Sequence, residues 1–180
     1  MTDARTLSDV ETLKALAHPL RQRMLTRLQR HGAATSADLA AEFGVDRGAA
    51  SYHLRQLERF GFLEEDTARS AGRRRYWRAV RQDVRLPRGA ADPEVAAAAS
   101  EVGRQWHERA DADLAAYLAD REAFGEFADA AHHSFGGTSL TAAELAEFGE
   151  EYIAFLKRWY REPGPGRRHV TVLFHAFPTP

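Results

Sequence analysis

The stretch Thr35–Asp66, TSADLAAEFGVDRGAASYHLRQLERFGFLEED, decides the fold. Thr35 and Asp38 form a T-x-x-D capping pattern, in which hydroxyl and carboxylate satisfy the free backbone N–H groups of a helix start. Leu39 and Phe43 follow at helical spacing, and Gly44 supplies the stop. Asp46 then stands at the N-cap of a second helix, Arg47–Phe60, which turns Leu54, Leu57 and Phe60 inward and ends at Gly61. Helix, tight turn and helix make a bihelical unit.

Working outward toward the C-terminus, Phe62–Glu65 and Arg74–Val80 alternate apolar and polar residues, as strands do, around a loop holding Ser70, Ala71 and Gly72. A hairpin in this position is a wing. From Thr67 to Arg81 it carries Arg69, Arg73, Arg74, Arg75, Arg78 and Arg81 with no acidic residue among them. Such a cluster repels itself unless a polyanion lies close, and each phosphate it meets releases condensed counterions.

Toward the N-terminus, Ser8 with Glu11 reads as a capping box for a helix from Ser8 to Ala17 that buries Leu13 and Leu16. Pro19 opens another helix, with Leu20, Met24, Leu25 and Leu28 on one face and Gly32 as its stop. Beyond the wing, residues 81–92 are polar, broken by Pro87 and Gly89, and read as a linker. Asp92 and Pro93 start a long amphipathic helix predicted to continue to Ala131, with a kink near Gly125 and an interruption at Gly136 and Gly137. Thr141 and Glu144 cap a last helix with the apolar stripe Leu145, Phe148, Tyr152, Phe155, Leu156 and Trp159, ended by the run Pro163–Gly166. The alternation of Val170, Val172 and Phe174 predicts a terminal strand.

The chain of 180 residues has room for one large domain or for one small domain with an appendage. The absence of cysteine excludes disulfides, thiolate metal sites and thiol switching. With no secretory pattern at its start and no apolar run long enough to span a bilayer, a cytoplasmic protein is expected, with no membrane partner. The net charge of −1 conceals an asymmetry: residues 1–92 hold 17 Arg and Lys against 12 Asp and Glu, whereas residues 93–180 hold 8 against 14. A basic first half joined to an acidic second half suits a part that meets DNA and a part that stays off it.

LKALAHPLRQRMLTRL, the stretch quoted first and RRRYW together resemble the winged helix-turn-helix of the ArsR-type bacterial transcription regulators. A-x-x-x-R from Ala17 to Arg21, S-x-H-L-x-x-L from Ser51 to Leu57 and G-F-L from Gly61 to Leu63 carry the resemblance, which covers residues 9–80. It implies that Arg47–Phe60 is the recognition helix and residues 65–76 the wing. The remaining tail is similar to that of actinobacterial relatives with an extended helical region. Metal-sensing members place Cys-x-Cys before the turn, where this chain has Ser36, Ala37, Asp38 and Leu39.

The residues expected to meet DNA are therefore Arg47, Gly48, Ser51, Tyr52, His53, Arg55 and Gln56 of the recognition helix, and Arg69, Arg73, Arg74 and Arg75 of the wing. An arginine fork fits guanine O6 and N7, and hydroxyls reach phosphate or base edges. Trp106, Tyr117, Phe124, Phe127 and Trp159 are candidates for an aromatic pocket that takes a small organic effector. His107 with Glu108 and Asp111, and His132 with His133, read as exposed or helix-end residues rather than ligands, so no metal and no cofactor are expected. No nucleophile elbow, phosphate loop or HExxH is present, so no enzyme is expected.

The expected fold is mainly α with a small β-hairpin wing. A winged helix-turn-helix domain spans residues 1–86, and an α-helical C-terminal dimerisation region ending in a short strand spans 92–180. The function these point to is a homodimeric regulator, a repressor, reading an inverted-repeat operator in double-stranded DNA. The alternatives are a small-molecule- or metal-responsive sensor of the same fold, and a winged-helix interaction module that does not bind DNA.

Overall fold

The computed structural model describes residues 5–72, 74–87, 89–161 and 164–179. The chain divides into two compact units, Met1–Arg109 with Arg167–His169 and Ala110–Gly166 with Val170–Pro180.

The first unit runs β1 (Arg5–Thr6), α1 (Val10–Ala17), α2 (Pro19–His31), β2 (Ala34–Thr35), α3 (Ser36–Phe43), α4 (Arg47–Arg59), β3 (Leu63–Glu65), β4 (Tyr76–Ala79), β5 (Val84–Arg85) and the first part of α5 (Pro93–Ala119). Its core gathers Leu13 and Leu16 of α1, Met24 and Leu28 of α2, Leu39 of α3, and Leu54 and Leu57 of α4, all essentially inaccessible. Each such leucine contributes about 1.5–3 kcal/mol by leaving water. The three-residue and four-residue spacings that predicted the apolar faces are those of the faces that are buried.

Caps define the helix ends. The box at Thr35 forms in full, with Thr35 Oγ1 accepting from the Asp38 N–H at 3.2 Å and Asp38 Oδ2 accepting from the Thr35 N–H at 2.9 Å. Gly44 closes α3 in the left-handed region, φ 65°, which an L side chain occupies only with strain. The first helix differs from its prediction. Its N-cap is Asp9, whose Oδ1 accepts from the Thr12 N–H at 2.7 Å, so the helix begins at Val10 and Ser8 stands outside it. A charged carboxylate is the stronger acceptor for that N–H, and one residue decides which register wins.

The wing belongs to a three-stranded antiparallel sheet in the order β2-β4-β3, with Ala34 opposite Trp77 and Glu65 opposite Trp77 on the other side. Sequence patterning did not find β2, which is only two residues long. Nor did it find β1 and β5, which pair in parallel with Arg5 opposite Val84. The segment read as a linker is thus partly sheet: the Arg5 N–H donates to Asp83 O at 2.8 Å and the Leu7 N–H to Arg85 O at 2.9 Å, which seats Leu7 in the core.

α5 completes this unit. Val95, Ala98, Ala99 and Val102 enter the winged domain's core. Gln105 Nε2 donates to Ala17 O at 2.7 Å, capping the end of α1, and Arg109 donates to Gln22 Oε1 and Thr26 Oγ1 of α2.

The second unit holds the rest of α5, a 3-10 turn (Glu122–Phe124), α6 (Glu126–Ala130) and α7 (Ala142–Lys157). The helix predicted to reach Ala131 stops at Ala119; Asp120 Oδ1 accepts from the Ala123 N–H in the 3-10 turn that follows, and Gly125, at φ 55°, starts a separate short helix. Tyr117 fastens this corner, its ring 5.1 Å from that of Phe124 and its hydroxyl donating to Ala128 O at 3.1 Å. The Thr141–Glu144 box forms as predicted. The stop at Pro163 lies outside the described residues. The predicted terminal strand does not form: residues 169–179 have no ladder partner and are extended coil, because alternation alone makes no strand without an edge to pair with. Phe174 instead stacks on Tyr152 with ring centroids 3.7 Å apart.

Candidate nucleic-acid interface

Asp46 caps α4 by accepting from the Gly48 and Ala49 N–H groups. Ala50, Leu54 and Leu57 are fully buried on one side. Arg47, Ser51 and Arg55, four apart, therefore share the other side. Neither arginine has a carboxylate partner among the described residues; Arg55 Nε donates to Ser51 O of its own helix at 3.2 Å.

That side forms one wall of a cleft of about 650 Å³. Thr35, Ser36, Ala37 and Asp38 at the start of α3 form a second wall, and Ala71, Arg74, Arg75 and Trp77 of the wing a third. Predicted residues from both elements thus converge: Arg47, Ser51 and Arg55 with Arg74 and Arg75. The residues at the start of α3 were read only as a helix cap, and one-dimensional patterning carries no signal that a cap also faces a cleft. Asp38, whose carboxyl is held below the usual range chiefly by hydrogen bonds from Thr35, is further lowered by Arg74 and Arg27.

Other expected contacts lie elsewhere. Gly48 is exposed beside the cap, and Gln56 is half-buried; neither lines the cleft. Tyr52 is 55% exposed, edge-on to His53. His53 departs from the DNA-facing side: its ring packs on His18 of the α1–α2 corner, 4.5 Å between centroids, because its position falls between the outer face and the buried leucines. Arg69 is 3.9 Å from Asp66 and outside the cleft lining. Arg73 lies outside the described residues.

The wing is also less uncompensated than its sequence implied. Arg75 bonds Glu65 at 2.6 Å and lies 4.7 Å over the Trp77 ring, and Arg78 meets Glu64, its register partner, at 2.8 Å. The anions come from the facing strand, which a count along one strand misses. Self-repulsion therefore does not argue for a polyanion at Arg75 or Arg78. Arg74 lies 5.3 Å over the Tyr76 ring and lines the cleft with Asp38, whose carboxyl it helps to lower.

Of the aromatic candidates, Trp106 belongs to the first unit and Tyr117, Phe124, Phe127 and Trp159 to the second. Trp106 packs against the winged domain's core. In the second unit Tyr117 meets Phe124, Phe127 is half-buried, and Trp159 is 64% exposed with Phe155 as its ring neighbour. His107 Nδ1 lies 2.6 Å from Gly103 O, His132 Nδ1 lies 2.8 Å from Ala130 O, and His133 stacks on Tyr117. Among the described residues no three His, Cys, Asp or Glu side chains are grouped so as to hold a metal ion. No helix among them is long and apolar enough to cross a membrane.

A capped helix, a tight turn, a second helix with an arginine-bearing outer side and a hairpin closing the same cleft define a winged helix-turn-helix regulator. Residues 16–66 match the model of a helix-turn-helix domain family. Solved structures similar to this chain include three regulators. One is a possible transcriptional regulator for arsenical resistance, 30% identical, with 57% of this chain and 95% of that one covered and a TM-score of 0.35. Another is the homodimeric winged helix-turn-helix DNA-binding domain of a possible ArsR-family regulator from Mycobacterium bovis, 24% identical over 69% and 85%, TM-score 0.34. The third is an ArsR-like regulator from Rhodococcus sp. RHA1, 24% identical over 64% and 91%, TM-score 0.34. No curated protein matches the chain. The chain belongs to the ArsR-type winged helix-turn-helix transcription regulators.

Proposed function

We propose that the protein is a transcriptional repressor, without enzymatic activity, that binds an inverted-repeat operator as a homodimer. The convergence of Arg47, Ser51 and Arg55 with Arg74 on one cleft is the observation that supports this reading. α4 lies in the major groove, where Arg47 and Arg55 read base edges, while the wing's Arg74 meets phosphate. One such helix reads only a few base pairs, so two copies related by a two-fold axis engage two half-sites about one helical turn apart. Fluorescence anisotropy with labelled DNA from the protein's own upstream region tests the reading: saturable binding, competed by the unlabelled fragment and not by unrelated DNA, is expected. Equal competition by both overturns it.

A further inference from the structure

The last helix exposes more apolar surface than its own unit covers. On α7, Leu145, Phe148, Tyr152 and Phe155 lead to Trp159 just beyond the helix end, at alternating three- and four-residue steps, the spacing of a coiled-coil seam. Phe174 of the same chain stacks on Tyr152 and lies 5.7 Å from the Phe148 ring, yet Phe148, Phe155 and Trp159 remain 42%, 46% and 64% exposed, and no residue of α7 is buried. Three large aromatic rings along one line of a helix are costly to leave in water.

The charges beside the stripe say what covers it. With Leu145 and Tyr152 at a positions, the g edge carries Glu144, Glu151 and Arg158, and the e edge carries Gly149 and Leu156. Parallel pairing sets g against e and leaves those charges facing glycine and leucine. Antiparallel pairing sets g against g, and an edge that is acidic in its first part and basic at its end is then complementary to itself. The register that brings Glu151 opposite the partner's Arg158 also brings Phe148 opposite the partner's Trp159, and places both Phe155 rings near the two-fold axis. Glu151 and Arg158 have no ion-pair partner within the chain among the described residues, although Arg158 sits 5.3 Å over the Phe155 ring.

We infer that α7 is a self-association surface that takes a second copy of this chain, antiparallel, through Phe148, Phe155 and Trp159 with reciprocal Glu151–Arg158 pairs. The inference rests on the homodimer reading and assigns its seam.

Sedimentation equilibrium of the full chain and of three variants, Glu151→Arg, Arg158→Glu and the double exchange, tests it. Both positions are exposed, so folding is expected to be unchanged, and circular dichroism checks this. Each single exchange places like charges together twice per dimer, raising the dimer dissociation constant roughly tenfold at low salt, and the double exchange restores it. If the wild type is a dimer and the single exchanges leave it unaltered, or if the double exchange does not recover what the singles lose, the antiparallel seam is overturned while the homodimer stands. A wild-type chain that is monomeric at tens of micromolar overturns the homodimer reading together with the seam.

Discussion

The imidazole rings of His18 and His53 lie 4.5 Å apart between the α1–α2 corner and the recognition helix, and Nδ1 of each is buried without a hydrogen-bond partner among the described residues. Burial first, and then Arg21, hold His18 below the usual histidine range; burial, His18 and Arg21 do the same to His53. Tyr52 is the remaining titratable neighbour, and no carboxylate figures among the groups acting on either ring. Protonation would bury an unpaired N–H and set a cation beside Arg21.

Because both folded-state pKa values lie below the unfolded value, this corner's stability is fully present above about pH 6.5 and is lost as pH falls through that value. Thermal unfolding at pH 7.5 and pH 5.5 should show a loss for the wild type that His18→Asn/His53→Gln does not share. Asp9 and Asp38 are depressed carboxylates whose contributions fade only at more acid pH, so they do not confuse this window. Equal pH dependence in both proteins would show that the pair is inert.

Arg47→Ala and Arg55→Ala should each weaken operator binding by about 1–3 kcal/mol with melting temperature unchanged, since both side chains are exposed and opposite the buried leucines. Anisotropy titration beside thermal unfolding checks this. Unchanged affinity in both variants would move the reading surface away from α4.

Arg74 and Arg75, adjacent in sequence, should behave differently. Arg74→Ala is expected to leave stability alone and to reduce the salt slope of DNA binding by about one unit. Arg75→Ala removes the bonds to Glu65 and the cover over Trp77, so it should also destabilise the fold by about 1 kcal/mol. Salt titration and denaturant unfolding of the two variants separate these effects.

A chain ending at residue 92 should be less stable than one ending at residue 109, by about 2–5 kcal/mol. The shorter one loses Val95 and Val102 from the core and the Gln105 cap on α1. Urea unfolding of both decides it; equal midpoints would mean that α5 is dispensable to the winged domain.

The helices of the first unit were legible because each carries its own punctuation: Pro19, the Thr35–Asp38 box, Asp46 and Gly61 are local signals with local mechanisms. β1, β2 and β5 were not, because two-residue strands exist only through their partners. The same holds for the wing's charge balance, set by Glu64 and Glu65 across the register, and for His53, whose neighbour His18 is distant in sequence. Residues 169–179 show the converse, a strand-like pattern that finds no edge. Of the eleven residues lining the candidate cleft, Arg47, Ser51, Arg55, Arg74 and Arg75 could be named in advance, but the α3 cap could not, since its part there arises from the crossing of two helices.

Arg5 reaches across from β1 to donate to Phe60 O at 2.6 Å, the residue that caps α4, and the same two-residue strand holds the segment leaving the wing. The opening of the chain therefore works as a latch on the recognition helix and the wing together. A proteolytic cut or a bulky fusion placed at Leu7 would be felt as lost grip on DNA, although no residue there touches the cleft.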